Sequence, residues 1–411
     1  MILALQTTTF GRFGGIPAYN RLVCRVLDQI GHRASVNSHV LVATDSAADI
    51  EKATRELRML RLQGLGGNRL AFTRRFLRLA ITQKFDLVLL GHVNYGPLGL
   101  LLKQLRPQIR YGVMLYGIEA WRRLPPLRAQ ALRSADFMIS ISDYTRQRAV
   151  HANDLKVDRI HLLPNALEWE DNSFEFRASR FESSLNSPRE SSSNSKFEAR
   201  NSKLDSSAER EFKLLSVCRL EQSEQYKGVD KVIEALPQVA VRVPRVRYTV
   251  IGGGNDLERH RKLAEQLGVA DRVNFSGSVD DETLRACYRD CDLFVLPSAG
   301  EGFGFVFLEA MKCSKAIVAA NSGGAPEVVA DGVTGRLVEY GDQEQLAQAL
   351  VDLLLDPDMR HRLGQAGYQR LQEKFTFQQF KRTLTEILQR ELPDKATFKF
   401  ARPDESASCA S

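Results

Sequence analysis

Short apolar runs recur along the chain, separated by stretches whose apolar residues fall at helical spacing. The runs at residues 1–7, 40–43, 86–90, 111–115 and 137–141, then 212–217, 248–251 and 292–296, read as strands, those at 86–90 and 292–296 as buried ones. Between them Leu22, Val23, Val26 and Leu27 share one helix face, as do Val232, Ile233, Ala235 and Leu236, and Val306, Phe307, Ala310 and Met311. The spacing predicts further helices over 127–133 and 377–392. Residues 51–84 read as one helical, arginine-rich stretch, with Arg55, Arg58, Arg61, Arg69, Arg74, Arg75 and Arg78 outward. Leu70, Phe76, Leu77, Ala80 and Ile81 form its apolar stripe, facing a sheet. The pattern is that of an α/β protein.

The length of 411 residues suits two domains. A hydrophobic content of 43% and a charged content of 26% are those of a globular chain. No apolar run reaches the ~18 residues that a spanning helix needs. The opening residues 1–5 lack a basic leader and read as a strand. The six cysteines (Cys24, Cys218, Cys287, Cys291, Cys313 and Cys409) show no metal-ligand spacing and fit reduced thiols in a cytoplasm. Charge is uneven: residues 1–165 hold 24 Lys+Arg against 11 Asp+Glu, while the remainder holds 33 against 39. The basic part suits an anionic partner, either lipid headgroups at a membrane or a phosphorylated acceptor. Residues 171–211 contain 12 Ser without apolar period and read as a disordered insertion.

Candidate chemistry gathers at residues 297–310. Gly300, Gly302 and Gly304 follow a buried strand and precede a helix, a junction where free amides and the helix dipole favour an anion. Glu301 lies on the loop and Glu309 eight residues on. At helical rise they stand ~12 Å apart along the axis, beyond the roughly 10 Å limit of a glycosidase carboxyl pair. That separation suits hydroxyls at the two ends of a long ligand with phosphates between. Arg219 ends a strand and Lys227 opens a helix, a planar fork and a point charge that together suit a diphosphate. The turn at residues 252–254 is Rossmann-like, yet no acidic residue closes a following strand. No Asp-x-Asp element stands in a suitable context, so no metal and no other cofactor is expected.

The Glu-x7-Glu string, followed by Ala316-Ile317-Val318-Ala319-Ala320 and Ser322-Gly323-Gly324-Ala325-Pro326-Glu327, resembles the donor site of family 4 glycosyltransferases. The similarity covers nearly the whole chain outside residues 171–211 and the tail. It implies the GT-B fold, two facing Rossmann-like domains with a cleft between them. It also implies that Glu301 contacts the donor sugar, Glu309 the ribose, and Arg219 and Lys227 the diphosphate, with Glu301, Arg219 and Lys227 forming the catalytic set. Gly14 and Gly15 then face the donor phosphate and the acceptor. Val279 belongs to the loop whose backbone holds the base, and Phe303, Gly304, Phe305 and Val306 complete the donor side. His92, Tyr116 and Glu119 are acceptor-side candidates; Tyr116-Gly117 stands where many relatives carry His-Gly.

The implied domains are 1–168 on the acceptor side, a linker insertion at 169–211, a donor domain at 212–376, a helix at 377–394 crossing back to the first domain, and a tail at 395–411. The expected activity is transfer of a sugar from a nucleotide-diphosphate sugar to a hydroxyl of a glycan or lipid-linked acceptor, and the resemblance alone implies that the anomeric configuration is retained. The expected site of action is the cytoplasm, with peripheral contact at an anionic membrane. Two alternatives stand beside it. One is a non-catalytic relative serving as a partner subunit, against which the four charged donor-side residues argue. The other is a nucleic-acid-binding protein, which would have no use for the Glu-x7-Glu string.

Overall fold

The computed structural model describes residues 1–11, 14–34, 37–167 and 210–392. Nearly all of the segment 169–211, the tail 395–411 and Cys409 lie outside the described residues. Strands β1 (Ile2–Gln6), β2 (Ser38–Val42), β3 (Leu60–Gly64), β4 (Leu87–Leu90), β5 (Arg110–Leu115), β6 (Phe137–Ser140) and β7 (Ile160–Leu162) pair in parallel, in the order β3-β2-β1-β4-β5-β6-β7. A second parallel sheet holds β8 (Phe212–Val217), β9 (Val246–Ile251), β10 (Val273–Gly277), β11 (Leu293–Leu296), β12 (Ala316–Ala320) and β13 (Gly335–Val338), in the order β10-β9-β8-β11-β12-β13. Strand order reverses between β1 and β4 and again between β8 and β11. An open α/β sheet places its crevice at such a switch point, outside the carboxyl ends of the strands.

The helices of the first domain are α1 (Gly15–Ala34), α2 (Ala47–Glu56), α3 (Arg69–Thr82), α4 (Gly96–Leu105), α5 (Pro126–Ser134) and α6 (Asp143–Asn153). Those that follow are α7 (Val229–Arg242), α8 (Leu257–Gln266), α9 (Asp281–Asp290), α10 (Phe305–Lys312), α11 (Ala325–Val328), α12 (Gln343–Leu355), α13 (Pro357–Lys374) and α14 (Phe377–Glu391). Central strands are buried along their whole length, because helices cover both faces of each sheet.

Residues 51–84 are not one helix. β3 interrupts them, with Leu60 and Leu62 alternating against Arg61 and Gln63, and it pairs with β2 from Ser38↔Leu60 to Val42↔Gly64. Arg61 therefore lies on a strand, away from the helical arginines. The buried face of α3 is Phe72, Phe76, Leu79 and Ala80, so the apolar stripe read from the sequence is rotated. Leu70 and Ile81 remain 60% and 55% exposed.

The last helix, α14, lies against α1 of the first domain. Tyr19 of α1 meets Phe380 edge-on with ring centroids 5.2 Å apart. Arg25 sits 4.4 Å above the Phe377 ring. At its far end Glu391 accepts from Arg110 of β5 at 2.5 Å and pairs with His161 of β7 at 2.8 Å. The chain that leaves the second sheet is thus packed against the first, and the loops at the carboxyl ends of both sheets are brought face to face.

Candidate active site

β11 delivers Pro297 to the cleft, and residues 297–304 turn into α10. The turn depends on glycine at two places. Gly304 caps α10 at φ +97°, where a Cβ would lie 2.4 Å from the Phe307 ring. A Cβ at Gly302 would lie 2.5 Å from the carbonyl oxygen of Tyr116, so the loop approaches the first domain at backbone contact. Its own domain grips it as well: Ala299 N–H donates to Tyr226 O at 2.8 Å, and Gly324 N–H donates to Glu301 O at 2.7 Å. The first amides of α10 have no partner within the helix, and its Phe305 ring packs 3.4 Å from where a Cβ on Gly15 would stand. The β1–α1 turn and the α10 N-terminus therefore oppose one another.

Glu301 is 8% exposed, and its carboxylate accepts from Lys227 Nζ at 2.5 Å. Lys227 closes a 3-10 turn, and Gly228 then opens α7 at φ +75°. Burial pushes the Lys227 ammonium down, but the charge of Glu301 and its hydrogen bond outweigh this, so the net shift is upward. Lys227 is accordingly charged throughout the physiological range. Arg219 differs: its side chain is 73% exposed and pairs with Glu224 on the following loop. The Cys218 thiol beside them is pushed up to about 12, by burial above all, and stays protonated. The two cations flank one loop, Lys227 held by the buried Glu301 carboxylate and Arg219 exposed and paired with Glu224.

Glu309, half-buried on α10, accepts from the Tyr288 hydroxyl of α9 at 2.6 Å. Burial raises its pKa, the tyrosine hydrogen bond acts downward, and Asp281 adds a further upward push. Val306 and Val279 are half-buried, and Val279 packs against the main apolar cluster. Phe303 is only 2% exposed and meets Phe375 edge-on at 5.5 Å, so its ring belongs to the core and only its backbone remains for a ligand.

On the opposite side His92 is half-buried at the end of β4, with Nδ1 accepting from Asn94 N–H at 3.1 Å. Burial lowers its pKa, Glu119 acts upward, and Arg128 lowers it again, so the imidazole is neutral near pH 7. Glu119 accepts from the amides of Tyr116 and Gly117 at 2.5 and 3.1 Å and thereby fixes the loop that meets Gly302. Tyr116 turns inward: it is 7% exposed, and its hydroxyl donates to Asn20 Oδ1 at 2.8 Å. That corrects its reading as an acceptor-side side chain; the part of Tyr116 that faces the cleft is its carbonyl. Burial against Tyr19 and Asn20 accounts for the placement, since an aromatic ring gains more by filling this space than by facing water.

Sequence reasoning gave no role to Asp45, which is 1% exposed and accepts from the amides of Thr9, Phe10 and Gly11 and from the Thr8 hydroxyl. It shapes the β1–α1 loop from a neighbouring strand end, a relation without local sequence signal. Tyr288 has no role in the sequence reading either, and Glu327 enters it only as the last residue of the donor-site string, without its contact to the Asp143 and Tyr144 amides. Among the described residues no group of three His, Cys, Asp or Glu is placed to hold a metal ion.

Both halves of the chain match sequence models of known families. Residues 13–170 match the one described as Glycosyltransferase Family 4, and residues 199–370 the one described as Glycosyl transferases group 1. The chain belongs to the family 4 glycosyltransferases. Curated relatives of this family 4 chain include a GDP-mannose-dependent alpha-(1-6)-phosphatidylinositol monomannoside mannosyltransferase of Mycolicibacterium smegmatis. It is 42% identical over 148 residues, which cover 34% of this chain and 39% of that protein. A D-inositol 3-phosphate glycosyltransferase of Corynebacterium jeikeium is 36% identical over 149 residues, covering 34% of this chain and 36% of that one. The matched segment spans well under half the length of either relative. Solved structures share the fold over almost the whole chain. Anabaena Alr3699/HepE in complex with UDP aligns at a TM-score of 0.68 and 18% identity, over 95% of this chain and 99% of that one. Sucrose-phosphate synthase from Thermosynechococcus elongatus aligns at 0.71 and 20%, over 96% and 100%. The two facing parallel sheets are the GT-B arrangement.

Proposed function

We propose that the protein transfers a hexose from a nucleotide-diphosphate sugar to a hydroxyl of a lipid-linked or glycan acceptor. The observation that carries this reading is the Lys227–Glu301 pair at 2.5 Å, set on a glycine loop between a helix N-terminus and the first domain. The bond to be broken joins the sugar carbon to a diphosphate oxygen, and charge grows on that oxygen as it leaves. Lys227 and the first amides of α10 are held donors available to such charge, and preorganised donors need no reorganisation during reaction, while the exposed Arg219 adds a second cation that must leave Glu224 to reach it. In this reading Glu301 faces the sugar and Glu309 the ribose. Gly15, Gly304, Phe305 and Val306 line the phosphates, and Val279 flanks the base. His92 and the Glu119-braced loop border the acceptor. Two cations and a helix terminus offset the diphosphate charge without a bound metal.

GDP-mannose is the donor to test first, because several of the matched relatives are named for it. UDP sugars come second, since the Anabaena neighbour is solved with UDP. An inositol-bearing lipid is the corresponding first acceptor. Exposed Leu70 and Ile81 on α3, beside exposed Arg74 and Arg78, give the first domain a face suited to an anionic bilayer. No helix among the described residues is long and apolar enough to cross a membrane, so the contact proposed is peripheral.

A thermal-shift screen with GDP-mannose, UDP-glucose and the free diphosphates tests the donor site. A ligand at 100 times its dissociation constant adds about 2.7 kcal/mol to stability. Absence of any shift with the whole panel refutes the reading. Retention is tested by the anomeric configuration of the product by NMR. The inward-turned Tyr116 keeps the partner-subunit alternative in play; hydrolysis of the bound donor without acceptor excludes it.

A further inference from the structure

Glu327 belongs to the second domain, yet its carboxylate is spent on the first. One oxygen accepts from the amide of Asp143 at 2.8 Å and the other from the amide of Tyr144 at 2.7 Å, at the N-terminus of α6. A carboxylate at a helix N-terminus gains from charge-assisted hydrogen bonds and from the helix dipole together. Next to it the Ser142 hydroxyl donates to the carbonyl of Gly302 at 2.6 Å. Three hydrogen bonds thus cross the cleft between residues 142–144 and the segments at 302 and 327.

The far ends of these bonds are not independent. Gly302 adjoins Glu301, and the Glu301 carbonyl accepts from Gly324 N–H, the residue that leads into α11 and Glu327. The backbones meet so closely that a Cβ at Gly323 or Gly324 would lie within 2.5 Å of Glu301 or Gly302 backbone oxygens. Arg370 of α13 holds the other side of α11, donating to the carbonyls of Glu327 and Val328 at 2.8 Å each. The loop that carries Glu301 and the short helix that carries Glu327 therefore move as one body. What docks on α6 is that body.

We propose that Glu327 is a positioning residue that fixes the first domain against the Glu301 loop, so that a hydroxyl bound on one domain meets a sugar bound on the other. The proposal rests on the reading of Glu301 as the sugar-side carboxylate. The consequence is specific. Apart from the backbone of Gly15, the groups assigned to the nucleoside diphosphate lie in the second domain, so losing the contact leaves nearly all of them in place. Transfer across the cleft suffers instead, because reacting atoms must be held at about 3–3.5 Å and a displacement of 1 Å can cost about a hundredfold.

The experiment uses the full chain with Glu327→Gln and Glu327→Ala, with Glu327→Asp as the conservative variant. Hydrogen exchange is read at the Asp143 and Tyr144 amides, GDP and UDP affinity by calorimetry, and turnover with donor and acceptor. The expected result is exchange at both amides at least tenfold faster, nucleoside diphosphate affinity within threefold of the parent, and kcat lower by ten- to a hundredfold, with Glu327→Asp between. The Gln variant keeps the shape of the side chain, so it remains informative if the Ala variant folds poorly. Unchanged exchange overturns the contact. Faster exchange with unchanged kcat overturns the coupling, and so does a loss of nucleoside diphosphate affinity as large as the loss of kcat. A parent that binds no nucleoside diphosphate refutes the proposed function itself, and the exchange arm then still decides whether Glu327 joins the domains.

Discussion

Replacing Glu301 with Gln should tighten the binding of a free nucleoside diphosphate while it cripples transfer. In the ligand-free protein Lys227 is held by Glu301 at 2.5 Å, and the two side chains are only 18% and 11% exposed. A diphosphate that arrives without its sugar must therefore compete with a carboxylate for the same ammonium, and must also approach that negative charge. A charge-assisted hydrogen bond is worth about 1.5–3 kcal/mol net. Lys227 has three donors, so a bound phosphate displaces only part of that bond. About half the value, roughly 0.75–1.5 kcal/mol, is then returned when the competitor is neutralised, and 1.4 kcal/mol is about tenfold in affinity. GDP or UDP should bind Glu301→Gln about three- to tenfold more tightly than the parent in isothermal titration. Turnover with the intact donor should fall, because a carboxylate beside a developing oxocarbenium acts mainly in the transition state. Unchanged or weaker diphosphate binding in Glu301→Gln would refute the view that Lys227 is the shared partner of both groups.

The two cations should not be equivalent. Lys227→Ala removes a mostly buried ammonium and strands Glu301, so it should cost more nucleoside diphosphate affinity than Arg219→Ala and lower the melting temperature; Arg219→Ala removes a 73% exposed guanidinium but leaves the 13% exposed Glu224 without it, so it should lose less affinity and less stability than Lys227→Ala. Equal affinity losses with unchanged stability in both variants would contradict this. Flotation with liposomes tests the α3 face: Arg74→Glu with Arg78→Glu should lower recovery with acidic vesicles at low salt, at about 1 kcal/mol per basic residue near the surface. Equal recovery of parent and variant, or of acidic and neutral vesicles, counts against the face.

Most strands could be read directly, because a strand covered on both faces is written as an unbroken apolar run. β3, β7, β10 and β13 could not: they are short or carry polar residues, and in β3 Leu60 and Leu62 alternate with polar residues at an edge and sit between two segments of helical spacing. The register of α3 was misread for a related reason: Leu70 and Ile81 are apolar yet lie outside, so counting apolar residues rotated the face. At the site, the glycine loop, the strand-end arginine and the helix-start lysine were legible because each is a local pattern. The Lys227–Glu301 bond joins residues 74 apart, and the Glu327–α6 contact joins residues 183 and 184 apart. Neither has a local signature. Tyr116 shows the reverse limit, because its position in the motif was plain while the direction of its side chain depended on Asn20 and Tyr19 across the sheet.

Glu309 should trade stability against donor binding. Its carboxyl is raised above the ordinary range chiefly by burial, with the Tyr288 hydrogen bond opposing and Asp281 adding to the shift. A native carboxyl with a raised pKa binds its proton more readily than the unfolded chain does. Between the ordinary carboxylate pKa and the raised one the native state therefore carries the extra proton, and stability falls as pH rises through that window. At neutral pH the native state holds a poorly solvated charge. Gln at 309 has no such charge and still offers its carbonyl oxygen to the Tyr288 hydroxyl, so Glu309→Gln should melt no lower than the parent at pH 7. Any gain over the parent should vanish when both are melted below the ordinary carboxylate range. Donor binding should move the other way. If the carboxylate receives ribose hydroxyls, Gln replaces a charge-assisted bond of about 1.5–3 kcal/mol with a neutral one of about 0.5–1.5. The difference of about 1–1.5 kcal/mol predicts a donor KM five- to tenfold higher with little change in kcat. Tyr288→Phe should raise KM as well, and should add nothing in the Glu309→Gln background if the tyrosine acts only by holding that carboxylate. A melting temperature that drops at pH 7 while KM stays at the parent value would show that Glu309 is a structural group and that the ribose lies elsewhere.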